Sequence, residues 1–118
     1  ITEGIPDALA AATGGYRAVA ILGAGLPDRR VAEQLARREG LLVIAFDADE
    51  PGRAGSGRLR DLLASVGRSD VIDVEPPSAD LNSWLVQRGP ASFTLQLRMA
   101  VGLGATGINR PGRGRSLV

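Results

Sequence analysis

A run of apolar residues at 41–46 passes directly into a group of acids, and this junction constrains the fold more than any other part of the chain. A strand that is apolar at every position is typical of a parallel sheet with helices on both faces. The carboxyl end of such a strand opens onto the crevice where open α/β sheets bind ligands. Asp47 and Asp49 follow this strand, and alternate residues of an extended backbone point the same way. We therefore expect the two carboxylates to converge.

Two neighbouring carboxylates repel each other unless a cation or a shared proton relieves the repulsion. The chain contains no histidine and no cysteine, so the available ligands are hard oxygens, which favour Mg²⁺ or Mn²⁺ over zinc. The acid pair therefore predicts a magnesium site. The alternative is an ordinary loop turn, because aspartate, Pro51 and Gly52 are all turn-forming residues.

The composition limits the class of protein. A chain of 118 residues is long enough for one domain with a single core. The absence of cysteine excludes disulfides and cysteine-ligated zinc, and the absence of histidine leaves carboxylates for acid–base chemistry. No secretion leader and no apolar stretch of the ~18–20 residues needed to cross a membrane are visible. We expect a cytoplasmic protein with no membrane contact, and the abrupt beginning predicts a piece of a longer polypeptide.

Charge is distributed unevenly along the chain. All thirteen acids lie between residues 3 and 80 together with nine arginines, which gives this part a net charge of −4. Residues 81–118 contain five arginines and no acid, and the chain contains no lysine. Arginine suits bidentate contacts to phosphate, although GC-rich coding explains the same bias.

Short strands alternate with helices, which favours a parallel α/β layer. The patterns predict strands at 18–22, 41–46 and 71–74, with a truncated first strand at 1–2. They predict helices at 6–13, 27–39, 54–66, 79–88 and 92–101. Residues 1–101 would form one domain, and residues 102–118, rich in glycine and arginine, a linker or tail.

Three segments together resemble the Toprim domain. They are Glu3-Gly4-x-x-Asp7-Ala8-Leu9, Asp47-x-Asp49-x-x-Gly52-Arg53, and the Asp80-Leu81-Asn82-Ser83-Trp84-Leu85 segment after the fourth strand. The resemblance covers roughly residues 1–89 and is closest to the primase branch, the DnaG-type primases and those of phages and plasmids. It implies a single Toprim-like (Rossmann-like) α/β domain with a roughly four-stranded parallel sheet flanked by helices.

The resemblance also implies a role for each matching acid. Asp47 and Asp49 would ligate Mg²⁺, and Glu3 would be a further ligand or a general acid/base. Asp80 would complete an acidic cluster for a second metal. The implied catalytic residues are thus Glu3, Asp47 and Asp49, and the implied metal ligands are these three and Asp80. We assign Asp7 to the start of a helix rather than to the metal.

The implied function is Mg²⁺-dependent nucleotidyl transfer by the catalytic module of a primase-like protein of DNA replication or of a mobile element. A Toprim nuclease and a non-catalytic module that binds nucleic acid or a partner are the alternatives. The expected partners are single-stranded DNA, nucleotides and other domains of the same polypeptide. Because this chain offers few groups to hold a template, we expect it to be inactive alone.

Several other residues invite weaker interpretations. Contacts to phosphate are assigned to Arg53, Arg98, Arg110 and Arg113, against the alternatives of local charge neutralisation and a solubilising tail. The glycines at 23 and 25 lack the third glycine of a dinucleotide-binding loop, which Asp28 replaces. Tyr16 and Trp84 are predicted to pack in the core.

Overall fold

The computed structural model describes residues 1–22 and 27–116, with side chains described for 1–22 and 27–106. Its elements, in chain order, are α1 (Ile5–Thr13), α2 (Arg29–Ala36), β1 (Leu42–Ile44), α3 (Glu50–Ser65), β2 (Val71–Asp73), α4 (Leu81–Arg88) and α5 (Pro90–Ser116). The glycines at 23 and 25, considered above for dinucleotide binding, lie outside the described residues.

The sheet consists of β1 and β2, which pair in parallel with Leu42 opposite Val71 and Ile44 opposite Asp73. A single parallel bridge joins Thr2 to Ala20. The α/β class is therefore confirmed, but the expectation of a roughly four-stranded sheet is wrong: the part of the chain that the structure describes has a two-stranded sheet.

The reason lies in the shortness of the segment at residues 1–2. The N–H of Thr2 donates to the C=O of Val19 at 2.9 Å, and the N–H of Ala45 donates to the C=O of Ile1 at 2.8 Å. Four extended segments thus lie in the order 18–21, 1–2, β1 and β2. The segment at 1–2 offers one residue to each neighbour, which makes a bridge but no ladder of hydrogen bonds.

Helices cover both faces of this layer, as the uninterrupted apolar strand predicted. Alternate residues of β1 and its extension point to opposite faces, so Leu42 and Ile44 face one core and Ala45 faces the other. One core joins residues of α1, α4 and α5 to the sheet: Ala10, Ala11, Ala45, Ile72, Val74, Leu81, Trp84, Phe93 and Leu97. The second core joins residues of α2 and α3 to the sheet: Ala32, Leu35, Leu42, Ile44, Phe46, Leu59, Leu63 and Val71.

Helices α3 and α5 differ most from the predicted bounds, and α2 is shorter than predicted at both ends. Helix α3 begins at Glu50 rather than near residue 54, because Asp49 caps it and Pro51 fits a first turn. Helix α5 begins at Pro90 and continues beyond Val101 into the predicted linker or tail. A division of the chain at residue 101 stays a prediction.

None of the helices in the described ranges combines the length and apolar character needed to cross a membrane.

The close approach of α5 to the sheet depends on Gly104. A Cβ placed on Gly104 would lie 2.9 Å from Cδ1 of Ile72, so the missing side chain lets α5 approach the sheet closely. This glycine therefore serves helix–sheet packing. It lies in the stretch whose glycine and arginine content predicted a linker or tail.

Candidate metal centre

Glu3 and Asp47 meet at the carboxyl end of the sheet. Glu3 follows the bridged residue Thr2, and Asp47 follows Phe46 at the end of the apolar run. The segments are neighbours, and Oε1 of Glu3 accepts a hydrogen bond from the N–H of Asp47 at 2.9 Å. The structure thus brings these two predicted site residues into direct contact.

A group of three aspartates forms the centre of the site. One carboxylate oxygen from each of Asp7, Asp47 and Asp80 lies within 4.8 Å of the others, a spacing that could hold a metal ion. Asp7 belongs to the first turn of α1 and is buried, and Asp80 is the N-cap of α4. Oδ1 of Asp7 also accepts from the N–H of Asn82 at 3.0 Å, which ties α1 to the start of α4.

Sequence reasoning placed Asp7 correctly at a helix start but missed its place among the acids. The available signal was its short spacing from Glu3, since the first turn of a helix that begins two residues after Glu3 lies at the same end of the sheet. That spacing does not reveal which other acids lie nearby, because Asp47 and Asp80 reach Asp7 only through long-range packing.

Crowding of the carboxylates changes their protonation. Burial, followed by the charges of Glu3, Asp7, Asp80 and Asp49, raises the pKa of Asp47 from its usual 3.8 to about 6. Burial and the charge of Asp80 also raise the pKa of Asp7, against the opposing effects of hydrogen bonds from Asn82 and Asp47. Asp47 therefore holds a proton below about pH 6, and above that pH a cation would relieve the repulsion between the carboxylates.

Asp49 lies beside this group and caps α3. Its Oδ1 accepts from the N–H of Gly52 at 2.7 Å. It is not among the three aspartates, in the described structure, whose oxygens lie within 4.8 Å of one another. Its assignment as a ligand, like that of Glu3, stays a prediction.

Gly52 allows the start of α3 to lie very close to the acids at 47 and 49. A Cβ on Gly52 would lie 2.1 Å from the C=O of Asp47 and 2.9 Å from Oδ1 of Asp49. Only glycine lets the first turn of α3 pack onto the end of β1 in this way.

The arginines assigned to phosphate do not gather at the acids. Arg53 forms ion pairs with Glu75 at 2.8 Å and with Glu50 at 3.1 Å. Arg98 approaches Gly15, beyond the carboxyl end of α1, about 13 Å along a nine-residue helix from the end that carries Asp7. The side chains of residues 110 and 113 lie outside the described residues.

Residues 1–85 match a family described as Toprim-like, and this range includes Glu3, Asp7, Asp47, Asp49 and Asp80. No curated protein and no solved structure matches the chain.

Replacing Gly52 with alanine should destabilise the protein by about 3 kcal/mol or more, because the new methyl group overlaps the C=O of Asp47 and the backbone must shift. Urea unfolding of the variant measures the loss. Gly57→Ala is the matched control, because a Cβ at Gly57 on the same helix meets nothing within 4 Å. An equal or smaller loss at position 52 than at position 57 would contradict the close approach.

Stability should fall as the pH rises through about 6, because Asp47 has a higher pKa in the folded state than its usual 3.8. Its contribution is complete below pH ~4, the usual pKa, and is lost above the folded value. Without metal, Asp47→Asn should flatten this part of the Tm–pH profile and raise Tm at pH 7 by a few degrees, about 1 kcal/mol after allowance for partial exposure. Asp61→Asn, an exposed acid on α3, should leave the profile unchanged. The same slope in both variants would exclude Asp47 as its source.

Proposed function

Because the chain belongs to the Toprim-like family, we propose that its acidic site binds Mg²⁺ or Mn²⁺ and serves nucleotidyl transfer in a primase-like protein of DNA replication or of a mobile element. Toprim domains bind divalent metals and are associated with nucleic acids. The observation that carries the proposal is the convergence of Asp7, Asp47 and Asp80, whose oxygens lie within 4.8 Å of one another. A cytoplasmic location is part of the proposal.

The donor set fits a hard divalent cation. All of its donors are carboxylate oxygens, and the chain has no histidine or cysteine that would favour zinc. Burial, followed by the charges of the neighbouring carboxylates, raises the pKa of Asp47, and a cation would relieve the repulsion between these charges. Asp7, Asp47 and Asp80 would hold the ion, and we propose Asp49 and Glu3 as further ligands.

A divalent cation bound here would neutralise phosphate oxygens and favour ionisation of the attacking hydroxyl. The protein's own part is positioning. Glu3 holds the backbone of Asp47 by accepting its N–H, and Asp7 and Asp80 are fixed by hydrogen bonds at the start of α4. Glu3, whose carboxylate lies at the same edge, is our candidate for the general acid/base.

Positioning of the template would come from other domains of the same polypeptide. Three of the four aromatic residues, Phe46, Trp84 and Phe93, are buried, and Tyr16 is half-buried against the core, so the chain offers no exposed group of aromatic rings for stacking on bases. Arg53 is paired with two glutamates, so a phosphate would have to displace them. Single-stranded DNA and nucleotides are therefore expected to bind weakly to this chain alone.

Metal should raise the Tm of the protein. An ion present at ten times its Kd stabilises the folded state by about 1.4 kcal/mol, which corresponds to ~5 °C for a domain of this size. Thermal unfolding with Mg²⁺ or Mn²⁺ should show this shift in the wild type and in Asp61→Asn, the exposed control, and should show little of it in Asp7→Asn and Asp47→Asn. Equal shifts in all four proteins would place the ion elsewhere.

Catalysis is tested by assaying this chain and the intact polypeptide that carries it, each with its Asp47→Ala variant, for primer synthesis and DNA cleavage with Mg²⁺ or Mn²⁺. We expect synthesis by the intact polypeptide, a loss of at least ~100-fold in its variant because the metal charge at the reacting phosphate is lost, and no synthesis by the chain alone. Metal-dependent cleavage that the variant loses would instead favour a nuclease. Neither activity in the intact polypeptide would favour a non-catalytic module.

A further inference from the structure

The two layers of helices expose different kinds of surface. Helices α2 and α3, which cover one face of the sheet, expose mainly charged, polar and small residues, among them Arg30, Gln34 and Arg60. Among the side chains that the structure describes, the large apolar ones exposed on helices all belong to α1, α4 and α5, which cover the other face. These residues form the apolar face of the domain: Ile5, Leu9, Val86, Leu95, Met99 and Leu103.

Helix α5 is apolar on two opposite sides. Phe93 and Leu97 are buried in the core, whereas Leu95, Met99 and Leu103 on the other side are 62%, 60% and 76% exposed. The three exposed residues are four apart, so they form one ridge along the helix. A helix that is apolar all round is normally buried all round. The outer ridge of α5 is therefore a surface suited to a partner.

The area of the apolar face indicates that the partner is a protein. Its side chains expose on the order of 700 Å² between them, close to the ~800 Å² that each partner contributes to an interface of standard size. The largest apolar patch of a typical monomer is smaller, at about 300–600 Å². The exposed residues of α1 carry no charge, and residues 81–106 contain two arginines and no acid. Such depletion of charge is typical of homodimer interfaces, which are more apolar than those of transient complexes.

The ridge on α5 is also complementary to itself. Leu95 and Leu103 lie four residues before and four residues after Met99, so the ridge has the same order in both directions. If two copies of α5 pack in opposite directions about a two-fold axis at Met99, Leu95 of each copy meets Leu103 of the other. Arg98, the charged residue beside the ridge, approaches Gly15 at the end of α1 and leaves the ridge open. A contact of this kind uses the same surface on both copies and closes at two subunits.

We propose that the apolar face is a dimerisation surface, which a second copy of this chain covers through antiparallel contact between the two α5 ridges. The exposed residues of α1 and α4 lie at the margins of this contact. The proposal rests on the outer surface of one helical layer, so it depends neither on a bound metal nor on nucleotidyl transfer.

The first test is the mass of the chain in solution, measured by analytical ultracentrifugation. We expect a concentration-dependent rise from 12.2 kDa to about 24 kDa, twice the mass of one chain, with a Kd of ~10 µM or lower. Met99→Glu should raise this Kd at least ~100-fold, because the two-fold axis would bring two buried carboxylates together. Gln34→Glu is the control and should leave the Kd unchanged, because it adds the same charge to an exposed position on α2.

The second test concerns the register of the two ridges. Leu95→Glu and Leu103→Arg should each weaken the dimer at least ~tenfold, and the double variant should recover most of the loss, because each glutamate then meets an arginine of the second copy. Within one copy the two positions lie about 12 Å apart along the helix and cannot pair. Both positions are more than half exposed, so the variants should keep the Tm of the monomeric chain.

A chain that stays at 12.2 kDa up to about 100 µM would overturn the proposal, as would a dimer that Met99→Glu leaves intact. Larger, open-ended assemblies would exclude a two-fold contact. A double variant that dimerises no better than the single variants would exclude the antiparallel register. If the intact polypeptide is a monomer, another of its domains covers the apolar face, and the proposal is again overturned.

Discussion

Ile1 and Thr2 connect the segment around Ala20 to the segment of β1 in the extended layer. Ile1 pairs with the β1 segment and Thr2 pairs with the segment around Ala20, so the first residues of the chain occupy the middle of the extended layer. Glu3 follows immediately and meets the backbone of Asp47. The turn after Glu3 then starts α1, which carries Asp7. The positions of Glu3 and Asp7 therefore depend in part on the hydrogen bonds of Ile1 and Thr2, and a displacement of this segment would move both acids together.

The N-termini of three helices lie near the acids and help to stabilise several carboxylates close together. Helices α1, α3 and α4 all begin at this end of the sheet, and the partial positive charge of a helix N-terminus stabilises nearby carboxylates. Asp49 and Asp80 cap α3 and α4, and Asp7 lies in the first turn of α1. Asp47 caps no helix, and it is the acid whose pKa rises to about 6. A cation beside Asp47 would relieve the repulsion between its carboxylate and the surrounding acids.

The sequence was informative wherever local chemistry decides the structure. The apolar run at 41–46 and the acids after it identified a strand covered on both faces and the edge that carries the site, because both follow from side-chain pattern. The membership of Asp7 in the group of three could not be predicted, since it depends on how α1 packs against α4. The number of strands was overestimated because a sequence pattern shows which segments are extended. It does not show how many of their residues form hydrogen bonds with a neighbouring strand. The packing of Gly104 against Ile72 could not be predicted either, because close packing and chain flexibility both favour glycine.

The short segment at 1–2 gives the acids that follow it little support from the sheet. Metal-assisted phosphoryl transfer depends on positioning to a fraction of an ångström. A segment held by one pairing on each side has few interactions to resist movement, whereas a buried strand with a full ladder is among the most rigid parts of a domain. Two hydrogen bonds add to the pairing of Ile1 and Thr2: Glu3 accepts from the N–H of Asp47, and Asp7 accepts from the N–H of Asn82. These bonds join the start of the chain to the segment after β1 and to the start of α4, so the acids help to hold in place the segment that carries them.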